Sequence, residues 1–114
     1  MSFFDFFHKP NINDGVSAFR ENPNAVLLDV RTNEEYADGH IEGSKNLPLQ
    51  EIESVASVIT DKTTPLFVYC RSGARSARAV AILKNKGYTD VTDIGGILSY
   101  KGEVVGGRVC KRVN

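Results

Sequence analysis

Pro65-Leu66-Phe67-Val68-Tyr69-Cys70-Arg71-Ser72-Gly73-Ala74-Arg75-Ser76 sets a short apolar run ahead of a cysteine, a Ser-Gly turn and the start of a helical pattern. Residues 65–69 have the composition of a strand covered on both faces, because no polar residue alternates with the apolar ones. From Ala74 the pattern is helical through Lys86 and stops at Gly87, with the small residues Ala74, Ala77 and Ala81 expected to lie against a sheet. Upstream, Ala25-Val26-Leu27-Leu28-Asp29-Val30 repeats the buried-strand pattern. Strands that alternate with helices predict an α/β domain with a mainly parallel sheet. In such sheets ligands gather at the carboxyl ends of strands, which is where Cys70 falls.

The remaining segments fit that frame. Residues 13–21 read as a short helix capped by Asn13 or Asp14, with Val16, Ala18 and Phe19 inward and Pro23 beyond its end. Thr32 and Glu35 have capping-box spacing, which predicts a helix over 33–38 closed by Gly39. A brief strand is expected at 44–47 before Pro48, then a helix from Leu49 to Ile59 with Ile52, Val55, Ala56 and Ile59 on its inner face. Residues 90–94 read as a strand, followed by a Gly95-Gly96 turn and a helical turn towards Tyr100. The domain is assigned to residues 11–103, with 1–10 as an N-terminal segment that could be mobile and 104–114 as a C-terminal tail.

Composition excludes several classes. The chain has 114 residues, 41% hydrophobic and 25% charged, which suits one hydrophobic core and neither disorder nor a membrane span. Fourteen basic residues balance fourteen acidic ones, so no nucleic-acid surface is indicated. Residues 1–9 lack a basic leader and carry Asp5 among the phenylalanines, so they are not read as a signal peptide, and the expected location is cytoplasmic. In a reducing compartment Cys70 and Cys110 are expected as free thiols rather than a disulfide. Two cysteines forty residues apart and two scattered histidines, His8 and His40, offer no metal-ligand spacing, and no cofactor is expected.

The loop after Cys70 has its own electrostatics. Backbone N–H groups of a turn entering a helix converge on a bound anion, and the helix dipole adds roughly half a positive charge there. Arg71, Arg75 and Arg78 add local positive charge. These factors favour thiolate over thiol, so Cys70 is the candidate nucleophile. Gly73 suits a close ring of amides. On these grounds alone the cradle could hold a persulfide, sulfite, phosphate or arsenate.

Further residues then point to a family. Asp29-Val30-Arg31-Thr32-x-Glu34-Glu35-Tyr36-x-x-Gly39-His40-Ile41-x-Gly43-Ser44-x-Asn46-Leu47-Pro48 resembles the upstream signature of rhodanese domains, and Val68-Tyr69-Cys70-Arg71-Ser72-Gly73-x-Arg75-Ser76 resembles their active-site loop. Gly95-Gly96 is similar to the family's double glycine, and the likeness runs over roughly residues 11–103. The resemblance implies a rhodanese-like α/β fold with a five-stranded, mostly parallel sheet and helices on both faces. It implies a sulfurtransferase in which Cys70 attacks the outer sulfur of thiosulfate or another sulfane donor, carries it as a persulfide, and passes it to cyanide or a thiol.

By the same likeness the amides from Arg71 through Ser72, Gly73, Ala74 and Arg75 to Ser76 cradle the sulfur, while Arg71 and Arg75 attract the anionic donor. A sulfur-accepting protein is a further partner consistent with it. Related phosphatases and arsenate reductases carry one more residue between cysteine and arginine than the four found here, so this spacing favours sulfur. A sulfur-carrying or redox-sensing binding module is the alternative from another class.

Other residues have plainer readings. Asp29 and Arg31 could tune the thiolate, but a structural ion pair is preferred. His40 could serve as a base, yet attack by a preformed thiolate needs none, so it is read as scaffold. His8 is read as a surface residue. Cys110, among Arg108, Lys111 and Arg112, is read as a plain C-terminal thiol rather than a resolving one. The Phe3, Phe4, Phe6 and Phe7 cluster is assigned to packing or terminal disorder rather than to a partner or membrane.

Overall fold

The computed structural model describes residues 10–106. The elements follow in the order α1 (Ile12–Arg20), β1 (Val26–Asp29), α2 (Asn33–Asp38), β2 (His40–Ile41), β3 (Ser44–Asn46), a 3₁₀ helix (Leu49–Ser54) running into α3 (Val55–Val58), β4 (Leu66–Cys70), α4 (Ala74–Asn85), β5 (Val91–Gly96), a 3₁₀ turn (Ile97–Ser99) and β6 (Val104–Val105). Strands β3-β1-β4-β5 form one sheet, every neighbouring pair parallel. The α/β class and the parallel sheet are as expected, but the sheet has four strands, not five. Strands β2 and β6 form a separate antiparallel pair, His40 opposite Val105 and Ile41 opposite Val104. After Ile41 the chain reverses at Gly43, whose φ of +92° suits a residue without Cβ, and only then joins the main sheet as β3.

Both faces of the sheet are covered, which is why β1 and β4 carry near-continuous apolar runs. Leu28, Leu66, Val68 and Cys70 point to one core with Val55, Ala79 and Leu83. Leu27, Tyr69 and Ile94 point to the other with Ile12 and Val16 of α1. The alternation along β4 thus puts Cys70 on the α4 face and Tyr69 on the α1 face. Tyr69 is fully buried; its hydroxyl donates to Ser44 Oγ (3.3 Å) and accepts from Ile41 N–H (3.1 Å), tying β4 to the chain around β2 and β3.

Several helix faces differ from expectation. Helix α1 begins one residue earlier, capped by Asn11, whose side chain accepts from Asp14 N–H. Its inner face is Ile12, Gly15 and Val16, while Ala18 is exposed. In α4 the stripe against the sheet is Ser76, Ala79, Val80 and Leu83; Ala74, Ala77 and Ala81 face solvent. Both stripes have helical spacing, and the sheet lies against the first, which buries the larger apolar surface of Val80 and Leu83. The segment after Pro48 starts as a 3₁₀ helix, with Glu51 N–H donating to Pro48 O at 2.8 Å. Three residues per turn keep Ile52 and Val55 inward and leave Ala56 exposed.

Strand β5 runs through Gly95 and Gly96 instead of turning there. A bulge at Ile94 lets Asp93 face Val68 and Gly95 face Tyr69. Val104 and Val105, assigned from sequence to the tail, are the β6 strand. No helix among the described residues is long and apolar enough to cross a membrane. His8, Cys110 and the Phe3–Phe7 cluster lie outside the described residues.

Candidate active site

Strand β4 delivers Cys70 to the carboxyl edge of the sheet, and the chain turns through Arg71, Ser72 and Gly73 into α4. Gly73 adopts φ +114°, the conformation that lets its own N–H fold back and donate to Cys70 Sγ at 3.0 Å. Across the loop lies Gly96, paired with Cys70 in the sheet. A Cβ on Gly96 would lie 2.3 Å from Arg71 O and 2.5 Å from Ser72 Cα, so the loop's path depends on a bare backbone there. Leu98 N–H donates to Arg71 O at 3.2 Å and closes this side.

Cys70 is 1% exposed. Burial pushes its thiol up, but the Ser76 hydroxyl and the N–H groups of Ser76, Gly73 and Ser72 outweigh that, and the net shift is downward. The thiol approaches Ser76 Oγ at 3.6 Å. Ser76 is itself fully buried, its hydroxyl within 2.9 Å of Asp93 Oδ1 and 3.1 Å of Gly73 O. Of the expected cradle residues, Ser72, Gly73 and Ser76 have groups directed at the sulfur, while Ala74 is exposed.

The arginines divide. Arg71 and Arg78 are exposed, whereas Arg75 forms a bidentate ion pair with Glu35 of α2, at 2.6 Å and 3.0 Å. Glu35 also completes the expected capping box with Thr32. The Arg75 hydrogen bond is the main reason its carboxyl is lowered to about 2. The Arg75 charge still reaches the sulfur through space, since a Cys70 thiolate favours the guanidinium. A groove of about 420 Å³ opens beside the loop, with Arg75 and Arg78 over Leu49, Ile52 and Ile82.

Asp29 and Arg31 form the buried ion pair preferred from sequence. Arg31 Nη2 donates to Asp29 Oδ2 at 2.6 Å and Nε donates to Oδ1 at 2.9 Å, while Nη2 also reaches Gly39 O at 2.8 Å. Both lie at the carboxyl end of β1, adjacent to β4, and they join it to α2's end rather than touching the sulfur. His40 stacks on Tyr36, ring centroids 3.7 Å apart, and shares a 2.8 Å hydrogen bond with Tyr36 O. Two site residues were not read as such from sequence: Glu35, seen only as a cap, and Asp93. A carboxylate two positions before a double glycine, in a strand that ends beside Cys70, was the available signal for the second.

Comparison with known proteins agrees with this geometry. Residues 13–103 match the model of the rhodanese-like domain. The thiosulfate sulfurtransferase PspE of Escherichia coli is 41% identical over 71 residues, 61% of this chain and 68% of that protein. A tRNA uridine(34) hydroxylase of Buchnera aphidicola is 34% identical over 107 residues, 84% of this chain but 34% of the larger relative. Among solved structures, a rhodanese with anions from Escherichia coli superposes with a TM-score of 0.68 at 37% identity, covering 73% of this chain and 99% of the other. With its parallel sheet, its cysteine at the β4 edge and this match over residues 13–103, the chain belongs to the rhodanese-like domain family.

Proposed function

We propose that the chain is a sulfurtransferase that takes a sulfane sulfur from thiosulfate, or a related donor, onto Cys70 and hands it to cyanide or a thiol. The observation that carries the reading is the Gly73 N–H bond to Cys70 Sγ at 3.0 Å, within a loop of four residues between Cys70 and Arg75. Amides that already touch the sulfur leave a small ring, suited to one further sulfur atom more than to a tetrahedral oxyanion. The lowered Cys70 thiol supports the nucleophile's role.

In the first step the thiolate Sγ attacks the outer sulfur of thiosulfate. A Sγ–S bond forms as the thiosulfate S–S bond breaks, and sulfite leaves with the electron pair. In the second, cyanide carbon or an acceptor thiolate attacks the outer persulfide sulfur and Sγ departs as thiolate. Neither step moves a proton, so neither requires a base. Arg71, exposed at the mouth, would steer the dianionic donor, and the helix α4 N-terminus would favour the anionic persulfide.

The test is intact-mass measurement after incubation with thiosulfate, together with thiocyanate formation on adding cyanide. The expected result is a gain of one sulfur atom, lost on cyanide treatment and absent in Cys70→Ser. The absence of both mass gain and turnover, with thiosulfate, polysulfide and a persulfide donor alike, would overturn the reading.

A further inference from the structure

Ser76 has one hydroxyl proton and more acceptors than it can serve. Asp93 Oδ1 lies 2.9 Å from its Oγ, Gly73 O 3.1 Å and Gly95 O 3.5 Å, while Cys70 Sγ is 3.6 Å away on the opposite side of the exchange. The nearest of these acceptors is also the charged one, and charged acceptors form the stronger bond. Asp93 Oδ1 is in turn held by Gly95 N–H at 3.0 Å, so the β5 bulge fixes where that oxygen sits. The chain Cys70–Ser76–Asp93 thus runs from sulfur to carboxylate through one buried hydroxyl. In the thiol state Cys70 S–H donates to Ser76 Oγ and the hydroxyl donates to Asp93. A thiolate can receive the hydroxyl proton only if that proton turns away from the carboxylate.

We infer that Asp93 is a positioning residue that competes with the Cys70 sulfur for the single Ser76 hydroxyl proton, so that the attacking sulfur carries less of that hydrogen bond than Ser76 alone would give it. A thiolate that carries less of that hydrogen bond is the better nucleophile. The inference rests on Cys70 being the reacting nucleophile, and it gives Asp93 an effect that passes entirely through Ser76.

The readout is the pH midpoint of Cys70 alkylation by iodoacetamide, followed on the peptide that carries Cys70. This midpoint responds to the hydroxyl whether or not the protein transfers sulfur, so failure here and failure of the sulfurtransferase reading are separate results. Asp93→Asn keeps an oxygen for Gly95 N–H but weakens its hold on Ser76, and should lower the midpoint by about half to one unit. Ser76→Ala removes the hydroxyl and should raise it. Arg75, whose charge reaches the sulfur, its partner Glu35, the exposed Arg71 and the Asp29–Arg31 pair at the end of β1 are present in every variant alike, so the decisive comparison is the double variant. In Ser76→Ala, adding Asp93→Asn should move the midpoint little.

A downward shift of the same size in the Ser76→Ala background would mean that the Asp93 charge acts directly on the sulfur, and would overturn the inference. Shifts of the same sign in the two single variants, or none in Asp93→Asn, would overturn it too. If Asp93→Asn does not fold, Asp93→Ser supplies the same comparison, with a hydroxyl oxygen for Gly95 N–H and no carboxylate.

Discussion

Glu35 accepts two hydrogen bonds from the guanidinium of Arg75, forty residues later in the chain, and so clamps the first turn of α2 to the first turn of α4. The pair orients an arginine of the active-site loop and partly neutralises it. Both side chains are about a third exposed, 33% for Arg75 and 28% for Glu35, so water screens part of the attraction.

The clamp has a pH signature. Glu35 falls from an ordinary 4.5 to about 2 in the folded protein, chiefly through Arg75. A depressed carboxylate stabilises the fold above its unfolded value, and that contribution fades as pH falls from about 4.5 towards 2. Glu35→Gln, which keeps the capping oxygen for Thr32 N–H, should cost about 1 kcal/mol at pH 7 after allowance for screening. Urea unfolding at pH 7 and near pH 2 checks it. A difference between the two proteins that does not shrink in acid would show that the ion pair is not the source.

The buried pair beneath the site should behave differently. Asp29 is 0% and Arg31 6% exposed, and the Arg31 guanidinium gains its bonds from Asp29 and Gly39 O. Asp29→Asn preserves shape but leaves a buried cation without its counter-charge, a change expected to cost about 3 kcal/mol. The melting temperature should fall by roughly 10 °C or more. Adding Arg31→Met should recover part of that loss, because the unpaired charge goes with it. A single-variant loss below about 1 kcal/mol would place the pair among surface ones.

The parts of this arrangement that were legible in sequence are those set by local pattern. The two apolar runs became β1 and β4 because both faces of each are covered, and Thr32 with Glu35 became a capping box because three-residue spacing alone creates one. What escaped depended on partners distant in sequence. The stripe Ser76, Ala79, Val80, Leu83 and the stripe Ala74, Ala77, Ala81 are equally helical, and only the sheet's position separates them. Strands of two residues, β2 and β6, have no periodicity to detect. The second role of Glu35 and the role of Asp93 arise where β5 and α2 meet the loop, a meeting no spacing encodes.

The two glycines at the end of β5 should respond to substitution in distinguishable ways. Gly96 faces loop backbone, and a methyl group there would meet Arg71 O and Ser72 Cα, atoms with no rotamer to escape through. Gly96→Ala should displace the loop and lower sulfur transfer on the order of 100-fold, the scale expected for a shift near 1 Å at the reacting group. Gly95 has nothing within 4 Å of its would-be Cβ but sits at φ +92°. Gly95→Ala should therefore cost about 1–3 kcal/mol of stability as backbone strain, and less activity than Gly96→Ala. Melting curves and initial rates measured on both variants decide this, and the reverse ordering of activity would contradict the crowding argument.

Arg71 offers the cleanest view of how the donor is attracted, because its side chain is exposed at the loop's edge whereas Arg75 is committed to Glu35. A dianion approaching the mouth gains from the Arg71 charge before any bond changes, and keeps a similar gain until sulfite leaves. Such uniform binding acts on KM rather than on kcat. Arg71→Ala should therefore raise the thiosulfate KM about 2- to 5-fold at low ionic strength, the range of an exposed charge pair, and leave kcat nearly constant. Added salt should raise the KM of the wild-type protein and narrow its difference from the variant, since charges at this surface are screened within about 10 Å at 0.1 M. An unchanged KM, or a gap between the two proteins that persists at 1 M salt, would assign the attraction to the amides and the α4 N-terminus instead.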